Sequence, residues 1–141
     1  MLVVDGISKI VRLGFLVHKK WKYYSLPNFK NPNKTDSTEI PEKTKRIDVE
    51  VYCKDRTRCG FLASIQCRPN DTCDEAPTGS KGWTCYVLND RQLSIAWYTG
   101  KTIIRGYQGQ EGYPAFSDVN EKARYIWNSE ARDVIHCEHE M

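Results

Sequence analysis

The sequence predicts a mainly β protein, a small disulfide-stabilised β-sandwich or barrel. Three observations carry that prediction. From about residue 46 onward, short apolar runs and alternating apolar–polar runs recur between turn-forming residues, as half-buried strands require. All six cysteines of the 141-residue chain fall between Cys53 and Cys137. An even count packed into one segment of a short chain points to a disulfide framework. Helical spacing is scarce over the same stretch, and a chain of this length fits a single core.

The elements follow in order. Ile7, Ile10, Val11, Gly14, Val17 and Trp21 recur at helical spacing, with Lys9, Arg12, Lys19, Lys20 and Lys22 mostly elsewhere on the wheel. This fits a short N-terminal amphipathic helix over residues 7–24, with membrane-surface contact as its functional reading. Residues 25–46 read as a linker, because Pro27, Pro32 and Pro41 interrupt any regular element. The organisation expected is a basic arm and linker over 1–45, partly disordered, and a disulfide-stapled β domain over 46–141.

Within that domain, Ile47 to Tyr52 alternates as a strand. Gly60 to Cys67 is a second candidate. Residues 68–81 hold Pro69, Pro77 and Gly79 and read as a long loop tied down by Cys73. Strands are expected at Trp83 to Leu88, Gln92 to Tyr98 and Thr102 to Tyr107, with Trp97 in the core. The Gly-rich stretch from Gln108 to Pro114 is expected to be exposed. Residues 117–127 admit two readings, a short helix capped by Ser117 or a strand from Arg124 to Trp127. Asp133 to Cys137 reads as a short terminal strand.

Charge divides the chain. Residues 1–46 carry ten Lys/Arg against four Asp/Glu, and residues 47–141 carry eleven against fourteen. The slightly acidic domain argues against a folded nucleic-acid binder. Asn33-Lys34-Thr35 and Asn70-Asp71-Thr72 match the N-glycosylation pattern, making Asn33 and Asn70 candidate acceptors. Cysteines and glycosylation patterns together point to an oxidising, extracellular compartment. The apolar run from Ile10 to Val17 is broken by Arg12 and lacks a small-residue cleavage site, so no signal peptide is evident in this sequence. Secretion then implies a leader upstream of Met1 or a different start.

The chemistry-bearing residues are few. Five residues separate Cys53 from Cys59 and Cys67 from Cys73, too many for the usual zinc knuckle. No metal and no cofactor is expected. A nuclease needs a base, an acid and a cation, which Glu111, Arg105, His136 or His139 could supply, but no spacing singles them out. No catalytic residue is assigned. Aromatics are dense from Trp83 to Trp127. Strand aromatics usually pack in cores, yet exposed ones anchor interfaces or stack on rings. Tyr107 and Tyr113 flank the Gly-rich stretch and, with Arg105, are the residues expected to form an exposed binding surface.

Several families share features with the chain. Cys85, then Trp97-Tyr98, then Cys137 resembles an immunoglobulin domain, in which a strand tryptophan packs on an inter-sheet disulfide. The whole domain resembles the small secreted cysteine-rich effectors and toxins of fungi, in size, strands and cysteines. Val51-Tyr52-Cys53 through Cys59-Gly60 is similar to the opening of fungal killer toxins. A ribonuclease-like effector family shares a last cysteine near the C-terminus but has an aromatic where this chain has Val51. The effector resemblance implies that Cys137 closes onto Cys53, and the immunoglobulin resemblance that it closes onto Cys85.

The function expected is that of a secreted, non-enzymatic, effector-like protein, acting outside the cell or after delivery into a host cell, that binds a partner protein of the host through an aromatic β surface. A secreted toxin or ribonuclease-like enzyme and an immunoglobulin-like binding domain are the alternatives. Nucleic acid is not expected as a partner.

Overall fold

Alternation is strongest in the strand that organises the molecule. In β5 (Thr44–Tyr52), Ile47, Val49 and Val51 are fully buried, while Asp48, Glu50 and Tyr52 between them are partly exposed. β-Branched side chains on one face of a pleated strand give it both its conformation and its burial. A computed structural model describes residues 2–4, 9–24, 35–53, 59–67, 72–89, 97–99, 101–129 and 134–141.

The described residues form twelve strands. Around β5 is a six-stranded antiparallel sheet in the order β3-β2-β5-β12-β8-β9. Its other members are β2 (Lys9–Val17), β3 (Lys20–Tyr24), β8 (Trp83–Asn89), β9 (Trp97–Thr99) and β12 (Val134–Glu140). A four-stranded sheet, β4-β1-β6-β7, joins β1 (Leu2–Val4), β4 (Asp36–Thr38), β6 (Ala63–Ile65) and β7 (Ala76–Pro77). A two-stranded ribbon pairs β10 (Thr102–Tyr107) with β11 (Arg124–Asn128).

One face of the six-stranded sheet packs against β6 and β11. Leu13, Phe15 and Val17 of β2, the three apolar residues of β5, Trp83 and Cys85 of β8, and Ile135 and Cys137 of β12 form a single core. Phe61, Ala63, Ile65, Ile126 and Trp127 close it from the opposite layer. Phe61 meets Trp83 edge-on at 5.9 Å, and the Trp83 indole N–H donates to the Ala76 carbonyl at 2.9 Å. This is sandwich packing, and among the described residues no sheet closes into a barrel. Leu62 points the other way, into a second cluster with Tyr113, Val119, Ala123 and Tyr125.

Residues 9–24 are a hairpin, not a helix. Val17 pairs with Lys20, and His18 and Lys19 between them have φ of 50° and 65°. Two successive positive φ values are what a two-residue type I′ turn requires. Residues 13, 15 and 17 alternate inward, so a period of two wins over the helical spacing. β2 pairs with β5 along its length. The boundary expected near Arg46 therefore falls inside the sheet, and the segment read as a basic arm supplies two of its strands. Residues 117–123 make turns, and the strand reading of Arg124 to Trp127 is the one adopted. No helix of the described residues is long and apolar enough to cross a membrane.

The disulfides join Cys53 to Cys59, Cys67 to Cys73 and Cys85 to Cys137. Cys137 thus closes onto Cys85 and not onto Cys53. The bond spans directly opposed residues of neighbouring strands β8 and β12, with Cα atoms 4.1 Å apart. It lies within one sheet, unlike the inter-sheet bond of the immunoglobulin arrangement. Asn33, Asn70 and the core place expected for the Trp97 side chain lie outside the described residues.

Candidate functional site

The residues expected to bind lie on β10 and the turn that follows it. β11, paired alongside β10, is almost wholly buried, so β10 presents its outer residues from a fixed support. Ile104 is 53% exposed and Tyr107 is 57% exposed. Arg105, exposed between them, is the extra residue of a β-bulge, since the register with β11 shifts between Ile104 and Gly106. Bulges bend a strand and re-aim its side chains. The Arg124 guanidinium stacks on the Tyr107 ring at 4.9 Å, and the Tyr107 N–H donates to Gln110 Oε1 at 3.1 Å.

Tyr113 departs from expectation. It is only 9% exposed and belongs to the second core cluster. Its ring packs on Tyr125 at 4.9 Å between centroids and over Gly106. A Cβ at Gly106 would stand 2.6 Å from the ring. Tyr113 therefore anchors the Gly-rich turn from beneath, and the exposed surface consists of Ile104, Arg105 and Tyr107. Glu111 is exposed on the same turn.

The second constellation is on the outer face of the six-stranded sheet. Register places Arg12, Glu50, His136 and Tyr86 side by side across β2, β5, β12 and β8. The next row holds Tyr23, Gly14, Asp48, Glu138 and Thr84. Arg12 Nε lies 3.8 Å from Glu50 Oε2. His136 stacks on Tyr86 at 5.6 Å. Its Nδ1 is 3.6 Å from Asp48 Oδ2, an ion pair when the imidazole is protonated but too long for a hydrogen bond. The Tyr86 hydroxyl donates to Asp48 Oδ1 at 3.3 Å. Burial, with Asp48 and Glu140 nearby, pushes the Glu138 carboxyl above its ordinary range, against the pull of Arg46 and a hydrogen bond with Tyr86.

His136 and His139 do not act together. They are three apart on one strand, so they face opposite sides of the sheet. His139 lies in the inner row with Phe15, Ile47 and Trp83. Its ring is 5.2 Å from that of Trp83, its Nδ1 is buried without a hydrogen-bond partner, and burial lowers its affinity for a proton. His136 and His139 are therefore not brought together on one face.

Sequence reading missed the aromatics of β3. Trp21, Tyr23 and Tyr24 are all substantially exposed. The signal was there in the alternation of Lys20-Trp21-Lys22-Tyr23, but the competing helical pattern covered it. All six cysteines are oxidised, which is compatible with an extracellular protein. Comparison with protein-family models, curated proteins and solved structures finds no match to this chain.

Proposed function

We propose that the protein is a secreted, non-enzymatic binding protein whose partner is another protein, engaged through Ile104, Arg105 and Tyr107. One observation carries this reading. Two large apolar side chains, each more than half exposed, flank an exposed arginine on a strand paired with a buried one. Exposed apolar and aromatic groups on a rigid support lose little conformational freedom on binding, and Tyr and Arg are the residue types that dominate interface energetics. A host protein met by a secreted effector is the partner favoured by the chain's size, strands and cysteines.

The test is a photo-crosslinking residue at position 107, with the captured partner then titrated against the purified protein. The Ile104→Ser, Tyr107→Ala double variant should weaken that interaction at least tenfold, since anchor truncations typically cost about 2 kcal/mol or more, while its melting temperature stays near the parent's. Undiminished affinity would remove this surface from the function. Free thiols in the protein isolated from its natural source would overturn secretion.

A further inference from the structure

We infer that the Cys67–Cys73 disulfide is a modification site, at which an uncharged or cationic small-molecule thiol exchanges into the bond while the other two disulfides stay closed. The three bonds differ in access. Cys53, Cys59, Cys85 and Cys137 are buried and belong to the main core. Cys73 is exposed and Cys67 half-buried. A thiolate must reach a sulfur to displace its partner, so access separates labile disulfides from inert ones. Reaching either buried bond requires the surrounding structure to open first. The strands flanking Cys67–Cys73 are held by other means. Ser64 and Ile65 of β6 pair with Pro77 and Ala76 of β7. The Thr78 N–H donates to the Ala63 carbonyl at 2.8 Å, the Ala63 N–H donates to Thr78 Oγ1 at 3.1 Å, and the Trp83 indole fixes the Ala76 carbonyl. Asn120 ties both arms of the loop, its N–H donating to Gln66 Oε1 at 2.8 Å and its Nδ2 to Glu75 Oε2 at 3.3 Å. Opening the bond therefore leaves the fold in place and the two sulfurs close enough to reclose.

The more exposed sulfur, that of Cys73, is the one attacked. The incoming thiolate forms a new S–S bond to Cys73 Sγ. The Cys67–Cys73 bond breaks, its electron pair leaves on Cys67 Sγ, and that sulfur takes a proton from water. Cys67 Sγ lies 3.3 Å from the Cys73 carbonyl oxygen, so the thiol formed there has an acceptor in place for its weak S–H donor. A second thiol then displaces Cys73. In balance, two small thiols are oxidised to their disulfide and one protein disulfide is reduced to two thiols. Charge selects among thiols. Asp74 and Glu75, next to Cys73, are exposed. Residues 66–76 carry one cation, Arg68, against Asp71, Asp74 and Glu75. Fixed charge of that sign slows the approach of a thiol that carries net negative charge of its own, and does so less as salt is added.

The test exposes the oxidised full chain to cysteamine or to glutathione in native buffer, alkylates freed thiols at timed intervals and maps the labels by peptide mass spectrometry. A cysteamine adduct on Cys73 and an alkyl label on Cys67 should form on the order of a hundredfold faster than any label at the other four cysteines, the margin that prior opening of a buried site imposes. Glutathione, compared at equal thiolate concentration and low salt, should react more slowly than cysteamine, and the gap should narrow as salt is added. The amide spectrum of the protein opened at this bond should keep its dispersion outside residues 66–76. Opening of Cys53–Cys59 or Cys85–Cys137 at a comparable rate would overturn the proposal. So would an unreacted Cys67–Cys73 bond at millimolar thiol, loss of the folded spectrum as this bond opens, or glutathione reacting as fast as cysteamine.

Discussion

The two faces of the six-stranded sheet are built from the same strands and share almost no chemistry. On the inner face, Leu13, Val49, Cys137 and Cys85 form one row and Phe15, Ile47, His139 and Trp83 the next. On the outer face the corresponding rows are Arg12, Glu50, His136 and Tyr86, and Tyr23, Gly14, Asp48, Glu138 and Thr84. Period-two alternation writes both faces into one chain, so each strand carries its packing residues and its polar residues at alternate positions. Changes on the inner face should therefore cost more folding stability than changes on the outer face, and titrating groups buried on the two faces should act at opposite ends of the pH range.

The largest effect expected is at Phe15. Its ring is fully buried and meets Tyr24 edge-on at 5.2 Å, and no disulfide ties the β2–β3 hairpin to the rest of the molecule. Phe15→Ala should cost about 3–5 kcal/mol, the range for emptying a buried phenylalanine site, read from denaturant midpoints. A cost under about 1 kcal/mol would show that the hairpin does not contribute to the core and would break the contrast between the faces.

Next in size is the cross-strand disulfide. Cys85 and Cys137 are 52 residues apart in the chain, against 6 for Cys53 and Cys59. Loop-closure entropy then predicts that removing Cys85–Cys137 as a double alanine variant costs about 4 kcal/mol, and removing Cys53–Cys59 about 2.4 kcal/mol. Equilibrium unfolding of the two variants checks the order. The reverse order would mean that the inner rows hold β8 and β12 together without their bond.

Strands β5, β8, β10 and β12 were legible because each carries a local pattern. Ile47-Asp48-Val49-Glu50-Val51 needs no partner to be read as a half-buried strand. The β2–β3 hairpin was not, for two physical reasons. Ile10, Gly14, Val17 and Trp21 satisfy a helical period, which competes with the period of two carried by Leu13, Phe15 and Val17. The turn uses His18 and Lys19 in a conformation that Asn and Gly normally announce. Tyr113 was misplaced because glycines beside an aromatic suggest a loop tip, whereas Gly106 clears space for its ring to pack. The outer-face constellation was illegible for a deeper reason. It joins Arg12 to Glu50 and His136 through strand register, and register over so long a separation is a property of the fold, not of any local segment.

The smallest effect separates the faces at two nearly adjacent residues of β12. Glu138 is on the outer face, and burial raises its affinity for a proton above the ordinary carboxyl value of 4.5. Its folded form thus holds the proton more tightly than the unfolded chain does. The stability this confers is full below the unfolded value and is lost as pH rises through the folded one. His139 is on the inner face, and burial lowers its affinity below the ordinary 6.5. Its contribution is present above that value and is lost as pH falls through the folded one. Glu138→Gln should therefore match the parent in acid and exceed it in stability above about pH 5. His139→Gln should match the parent near neutrality and lose less stability on acidification below about pH 6. Melting temperatures across pH 4 to 8 distinguish the two. If both variants shifted the profile in the same direction, burial on the two faces would not be setting these titrations, and the division between them would fail at β12.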